Sequence, residues 1–160
     1  MADAIPFTKT AKPRIEPEAS PDERLAFERL LFDLSSQFAN LAGDQFESVT
    51  QTALSRIREF LGFDRSTFGE FLENGSIDVL ASSAIEGVVP MPFGNLSLDF
   101  VWYHRKLRAG EMIVLQSLPD DLSPEAVAEA EYCRSIGFRA HVSIPISVGG
   151  RFSGFLSFGS

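Results

Sequence analysis

The side chains able to do metal or nucleophilic chemistry are few and far apart. Cys133, His104 and His141 are the only soft-metal ligands in the 160 residues. None stands at the HxxxH or CxxC spacing that brings two ligands onto one metal. Zinc and non-haem iron are therefore not expected, and no cofactor is predicted. A haem held by one histidine stays open, since a single axial ligand leaves no spacing to read. One cysteine cannot supply both a nucleophilic and a resolving thiol, nor an intrachain disulfide. No glycine-flanked nucleophilic serine and no Ser-His-Asp order appear. This stretch therefore reads as no enzyme. Phe100, Trp102, Tyr103 and His104 form an aromatic cluster at helical spacing. Such clusters are more often packing than a cofactor box, with a lid role open to Trp102 and Tyr103. The acidic group Asp120, Asp121, Glu125, Glu129 and Glu131 reads as a solvated helix start and face.

Composition narrows the partners. Hydrophobic residues make up 44% and charged residues 22%, the balance of one ordinary globular domain. The net charge of −8 argues against binding nucleic acid or anionic membrane surfaces, both of which need clustered positive charge. A phosphate cradle would want more than Lys9, Lys12 and Lys106. No run of 18 apolar residues and no signal-peptide core occurs, so a cytoplasmic location is expected.

The elements that must position these residues alternate in period. Residues 1–20 carry Pro6, Pro13 and Pro17 without periodicity and read as a disordered lead-in. Ser20-Pro21-Asp22-Glu23 is a capping box that opens a helix. Phe27, Leu30, Leu31, Leu34, Phe38 and Leu41 then recur at three- and four-residue spacing. Asp44 is the expected cap of a second helix, which Gly62 stops. Residues 63–71 and 77–84 read as a hairpin about Asn74-Gly75. Residues 87–95 read as irregular, 100–109 as a short helix and 112–115 as a strand. A helix is expected from Ser123-Pro124-Glu125 to Gly137. Two strands, 140–148 and 151–158, meet at Gly149-Gly150. Hairpins with helices between them predict an α+β fold, an antiparallel β-sheet of five to six strands with helices on both faces.

Strand alternation places Phe152, Leu156 and Phe158 on one face, and Ser153, Phe155 and Ser157 on the other. Val142, Ile144 and Ile146 alternate with His141, Ser143 and Pro145, and Ser66 shares a side with Phe68. One face is apolar. The other mixes small polar groups with aromatics, which fits either a ligand pocket or a half-solvated surface.

Four segments in this order and spacing carry a family resemblance. They are Leu30 to Ser35, Ile57 to Arg65 (Ile-Arg-Glu-Phe-Leu-Gly-Phe-Asp-Arg), Leu107 to Leu118, and Ser135 through Ser143-Ile144-Pro145-Ile146 to Phe158. Residues 27–160 resemble a GAF domain, the small-ligand sensing module related to PAS, of the kind found at the N-terminus of bacterial sensor histidine kinases and some transcription regulators. The resemblance implies a pocket between the sheet and the helices of the second half, and a first helix that packs in a dimer. It implies a non-catalytic sensory domain over residues 21–160. The last strand runs to within two residues of the end, so a piece of a longer polypeptide is expected, its effector C-terminal. Light-sensing members attach a linear tetrapyrrole to a cysteine followed by histidine. Counted back from Pro145, Ala128-Glu129 holds that place here, and Cys133-Arg134 lies elsewhere. Cys133 thus reads as a buried small hydrophobe. The Asn-Lys-Phe-Asp-Glu signature of cyclic-nucleotide members is absent.

Two readings of function follow. In the first, an unidentified small molecule binds and the change passes to a histidine kinase or, second, a transcription regulator. In the other, the domain is a ligand-free homodimerisation and relay module that shares the stripe Phe27-Leu31-Leu34-Phe38 between chains. The candidate pocket residues are Phe68, Trp102, Tyr103, Tyr132, Phe138, His141 and Ser143.

Overall fold

A computed structural model describes residues 20–42, 45–73, 76–96 and 100–160. The lead-in up to residue 19, the expected cap Asp44 and the turn Asn74-Gly75 lie outside the described residues.

Helix α1 spans Pro21–Ala39 and begins with the expected capping box. Ser20 Oγ accepts from the Glu23 N–H at 3.2 Å, and Glu23 Oε2 accepts from the Ser20 N–H at 2.7 Å. Helix α2 spans Phe46–Leu61 and stops at Gly62, whose φ of 72° is left-handed. Strands β1 (Arg65–Phe71) and β2 (Ile77–Ala84) form the expected hairpin. A short strand β3, Gly94–Leu96, follows. Then come α3 (Val101–Arg108), β4 (Ile113–Leu115), α4 (Val127–Ile136), β5 (His141–Val148) and β6 (Arg151–Gly159).

The fold is α+β. Among the described residues six strands form one sheet in the order β3-β2-β1-β6-β5-β4, every pair antiparallel. Helix α2 lies across β1 and β2, where Ser66 Oγ donates to the Leu54 carbonyl at 3.2 Å and Ser55 meets Ser83 at 2.7 Å. Helix α1 rests on α2 through Leu30, Leu34 and Ala53, with Phe27 and Ile57 beside them. The opposite face carries the larger cluster: Ile77, Val79, Leu107, Ile113, Leu115 and Phe155. Burying one such side chain contributes about 1.5–3 kcal/mol.

Three sequence expectations shift. Residues 87–95 are expected to be irregular, yet Gly94 and Asn95 pair with Val79 and Asp78; a three-residue edge strand, Gly94-Asn95-Leu96, is too short to show an alternating pattern. Helix α4 starts at Val127, not at Ser123. Phe152 leaves the face of Leu156 and Phe158, because the β5–β6 register slips between Ile146 and Ser147. The extra residue turns the Phe152 ring against Gly110 at the end of α3.

Glycine governs the sheet's centre. A Cβ on Gly69 would meet the Phe155 ring at 2.8 Å and the Asp78 carbonyl oxygen at 2.9 Å. The ring therefore lies directly on the backbone of β1. Gly69→Ala is expected to lower the unfolding free energy by about 1–3 kcal/mol, the cost of overpacking a buried site. Gly62→Ala meets no atom within 4 Å and is expected to cost about 1 kcal/mol, from backbone conformation alone. Urea unfolding of both variants checks the order.

Candidate functional site

The sheet face opposite α2 is only partly covered by α3 and α4. Between them lies a cavity with about 690 Å³ of atom-free space, part of it open to solvent, of which about 70 Å³ is reachable by the centre of a water molecule. Strands β1, β2 and β6 floor it with Arg65, Ile77, Val79, Phe155 and Ser157; α4 walls it with Glu129, Tyr132, Cys133 and Ile136.

Of the seven candidates, Tyr103, Tyr132, Phe138 and His141 line this space. Ser143 lies beneath it, fully buried, and links two of them. Its Oγ bonds to the Tyr103 hydroxyl at 2.5 Å and to His141 Nε2 at 2.8 Å. Trp102 packs against the neighbouring apolar cluster without lining the cavity. Phe68 is on the wrong side. Strand alternation puts it with Ser66 towards α2, since Arg65 and Phe155 face the cavity.

Among the lining residues outside those seven candidates are two charged ones, Arg65 and Glu129. Arg65 is 7% exposed and Glu129 6%. Arg65 Nη2 donates to the Tyr132 hydroxyl at 3.2 Å, and that hydroxyl donates on to Met91 Sδ at 3.8 Å. The guanidinium carbon lies 4.4 Å from the centre of the Phe138 ring. Phe138 comes this close because Gly159, paired with Arg65 across the strands, leaves room for its ring. Glu129 departs from the solvated acidic face expected of it: Oε1 accepts the Tyr103 N–H at 3.1 Å. Its acidic neighbours do stay outside, Asp121 on the Gln116 and Ser117 N–H groups and Glu125 on Arg105. Position 129 is one helical turn from Tyr132 and Cys133, and that spacing was the available signal. Cys133 is half-buried and lines the cavity, rather than being sealed in the core. Burial pushes its thiol up, away from the reactive thiolate.

Two of the polar wall groups are held in their neutral forms. Burial pushes the Tyr103 phenol up to about 12, against the hydrogen bond to Ser143. Burial, and then the nearby Arg65 charge, pushes His141 down to about 4. His104 is also lowered by burial, and its Nε2 is buried without a hydrogen-bond partner. Among the described residues no three His, Cys, Asp or Glu side chains converge on a metal position. No helix among them is long and apolar enough to cross a membrane.

Residues 45–160 match the family model described as GAF domain. The chain belongs to the GAF family. GAF domains are in general non-catalytic sensory modules. No curated protein sequence matches the chain. Among solved structures, the GAF fold here is similar to the phycoerythrobilin-bound GAF domain from a cyanobacterial phytochrome. That pair shares 20% identity over 85% of this chain and 82% of that one, with a TM-score of 0.68. It is also similar to the blue-light absorbing form of the PixJ GAF domain of Thermosynechococcus elongatus, at 20% identity, 71% and 68% coverage and a TM-score of 0.58. A bacteriophytochrome from R. palustris matches 93% of this chain over 34% of its own length, at 20% identity and a TM-score of 0.68.

The depressed His141 gives a signed pH dependence. The folded state holds the imidazole neutral, while the unfolded chain takes up a proton near pH 6.5. Its contribution to stability is therefore complete above pH 6.5 and is lost as pH falls towards 4. His141→Gln is expected to flatten the stability–pH curve in that window by up to about 3 kcal/mol. Urea unfolding of both proteins at a series of pH values checks it, and an unchanged difference between them across the window would contradict it.

Proposed function

We propose that this GAF domain is the sensory part of a signal-transduction protein, binding a small molecule in the cavity under α3 and α4. The observation that carries this reading is the cavity's make-up. Its wall is mostly apolar, with polar groups from Arg65, Glu129, Tyr103, Tyr132, His141 and Ser157, which is the composition of a small-molecule site. Ligand occupancy would be passed on through α3 and α4 as a change in packing, with coupling set by the ligand's different affinity for the two states. The effector would belong to the same longer polypeptide. A sensor histidine kinase is the first choice and a transcription regulator the second, and a cytoplasmic setting goes with either.

One similar structure, the GAF domain from a cyanobacterial phytochrome, is phycoerythrobilin-bound, so a bilin is one ligand to weigh. Against it here stand the small free volume and a thiol whose burial disfavours the thiolate. Native mass spectrometry of protein from its own host, paired with denaturing mass spectrometry, tests the proposal. A mass surplus that disappears on denaturation is expected. A surplus that survives would indicate covalent attachment at a residue such as Cys133, and no surplus would favour the ligand-free relay.

A homodimer through α1 is the second element of the proposal. Leu30 and Leu34 are used inside the chain, while Leu31 is 43% and Phe32 75% exposed on the same helix. An apolar stripe of this kind is what a partner helix would cover. Light scattering after size exclusion is expected to give a dimer, and Leu31→Glu with Phe32→Glu a monomer. A monomeric wild-type chain at high concentration would remove this element.

A further inference from the structure

We propose that the cavity takes a small, largely apolar molecule bearing one carboxylate, and that Arg65 is the group that binds that carboxylate. The proposal rests on the reading of the cavity as a ligand site. Its starting point is a buried cation with no counter-charge. Arg65 is 7% exposed, and among the described residues no carboxylate lies within ion-pair distance of it. A guanidinium has five N–H donors. Here it donates to the Tyr132 hydroxyl at 3.2 Å and to the Val89 carbonyl at a long 3.4 Å. The Phe138 face at 4.4 Å, with Tyr132 at 5.9 Å, offsets only part of the lost hydration. Buried charges in proteins are ordinarily paired.

The walls do not provide the missing charge. Tyr103 and His141 are held neutral. Glu129, the one carboxylate on the lining among the described residues, is turned to the Tyr103 N–H. A bound anion would complete the site, with its apolar end directed away from Arg65 towards Ile77, Val79 and Leu115. A single planar guanidinium flanked by rings suits the flat, bidentate carboxylate. A phosphate dianion would want several cations or a cluster of backbone donors. The free space sets the size class at about one ring.

Benzoate is the probe, with its neutral isostere benzamide and inorganic phosphate as comparators. Titrations of the whole chain are followed by proton–nitrogen correlation NMR, reading the Arg65 Nε–H and the Tyr132 amide. Benzoate is expected to saturate, to move both signals, and to bind at least about tenfold more tightly than benzamide, the scale of a lost charge-assisted pair. Arg65→Gln is expected to abolish that preference. Arg65→Lys, which keeps the charge and loses the fork, is expected to retain part of it and serves if the glutamine variant does not fold. Phosphate is expected not to displace benzoate.

Equal binding of benzoate and benzamide, or a preference that survives Arg65→Gln, would overturn the role of Arg65 while leaving the cavity a ligand site. Displacement by phosphate at matched concentration would overturn the choice of carboxylate. Failure of both ring compounds to bind at millimolar concentration would remove this proposal, while the ligand site itself would still be decided by the mass surplus in native mass spectrometry.

Discussion

A six-stranded sheet is too wide for the helices available to cover it. At about 4.8 Å between strands, six span roughly 24 Å. On one face a single helix of 16 residues, about 24 Å long, is enough for β1 and β2. On the other face α3 has 8 residues and α4 has 10, about 12 and 15 Å. These cannot tile the surface, and loops and aromatic side chains must do the rest. The cavity is the part they leave uncovered. It lies between α4 on one side and β1, β2 and β6 on the other, and its chemistry follows from what β1 and β6 point at that gap.

That gap is lined by rings resting on bare backbone. Phe155 lies on Gly69 and Phe138 on Gly159. Both glycines are strand residues, where a missing side chain ordinarily weakens the sheet. Here each lets an aromatic ring come down to the sheet plane, so the ring widens the space above rather than filling it. Arg65 follows from the same geometry: its guanidinium stacks on Phe138, and Phe138 is where it is because position 159 has no Cβ.

Much of the frame was legible in the sequence. The capping box at Ser20 and the stop at Gly62 rest on local hydrogen bonding and backbone conformation, which a short stretch of residues specifies by itself. The hairpins and the alternation of β5 are equally local. Errors began where a distant contact decides. Phe68 and Arg65 are three apart on one strand and so face opposite ways. Choosing the inner one required knowing which face α2 takes. The slip at Ser153 reversed Phe152 by inserting one residue into a strand that still alternates in type. Glu129 looked like a member of an acidic, solvated run, because the backbone N–H that captures it belongs to Tyr103, 26 positions away. Arg65 ends the GAF-like segment Ile57 to Arg65, but its burial depends on Phe138 and Tyr132, which arrive from the second half of the chain.

The strand order also sets a timetable. Strand β1 sits between β2, its hairpin partner, and β6, with Arg65 opposite Gly159 about ninety residues further along the chain. The β1–β2 hairpin can form early, but its other edge stays open until β6 arrives. During synthesis that unpaired edge is exposed while all of α3, β4, α4 and β5 emerge, a template for pairing with another nascent chain. Closing so distant a pair makes contact order high for the sheet's centre and folding correspondingly slow. The β1–β6 pairing, which sets Arg65 beside Gly159 at the cavity floor, is thus among the last contacts to be made.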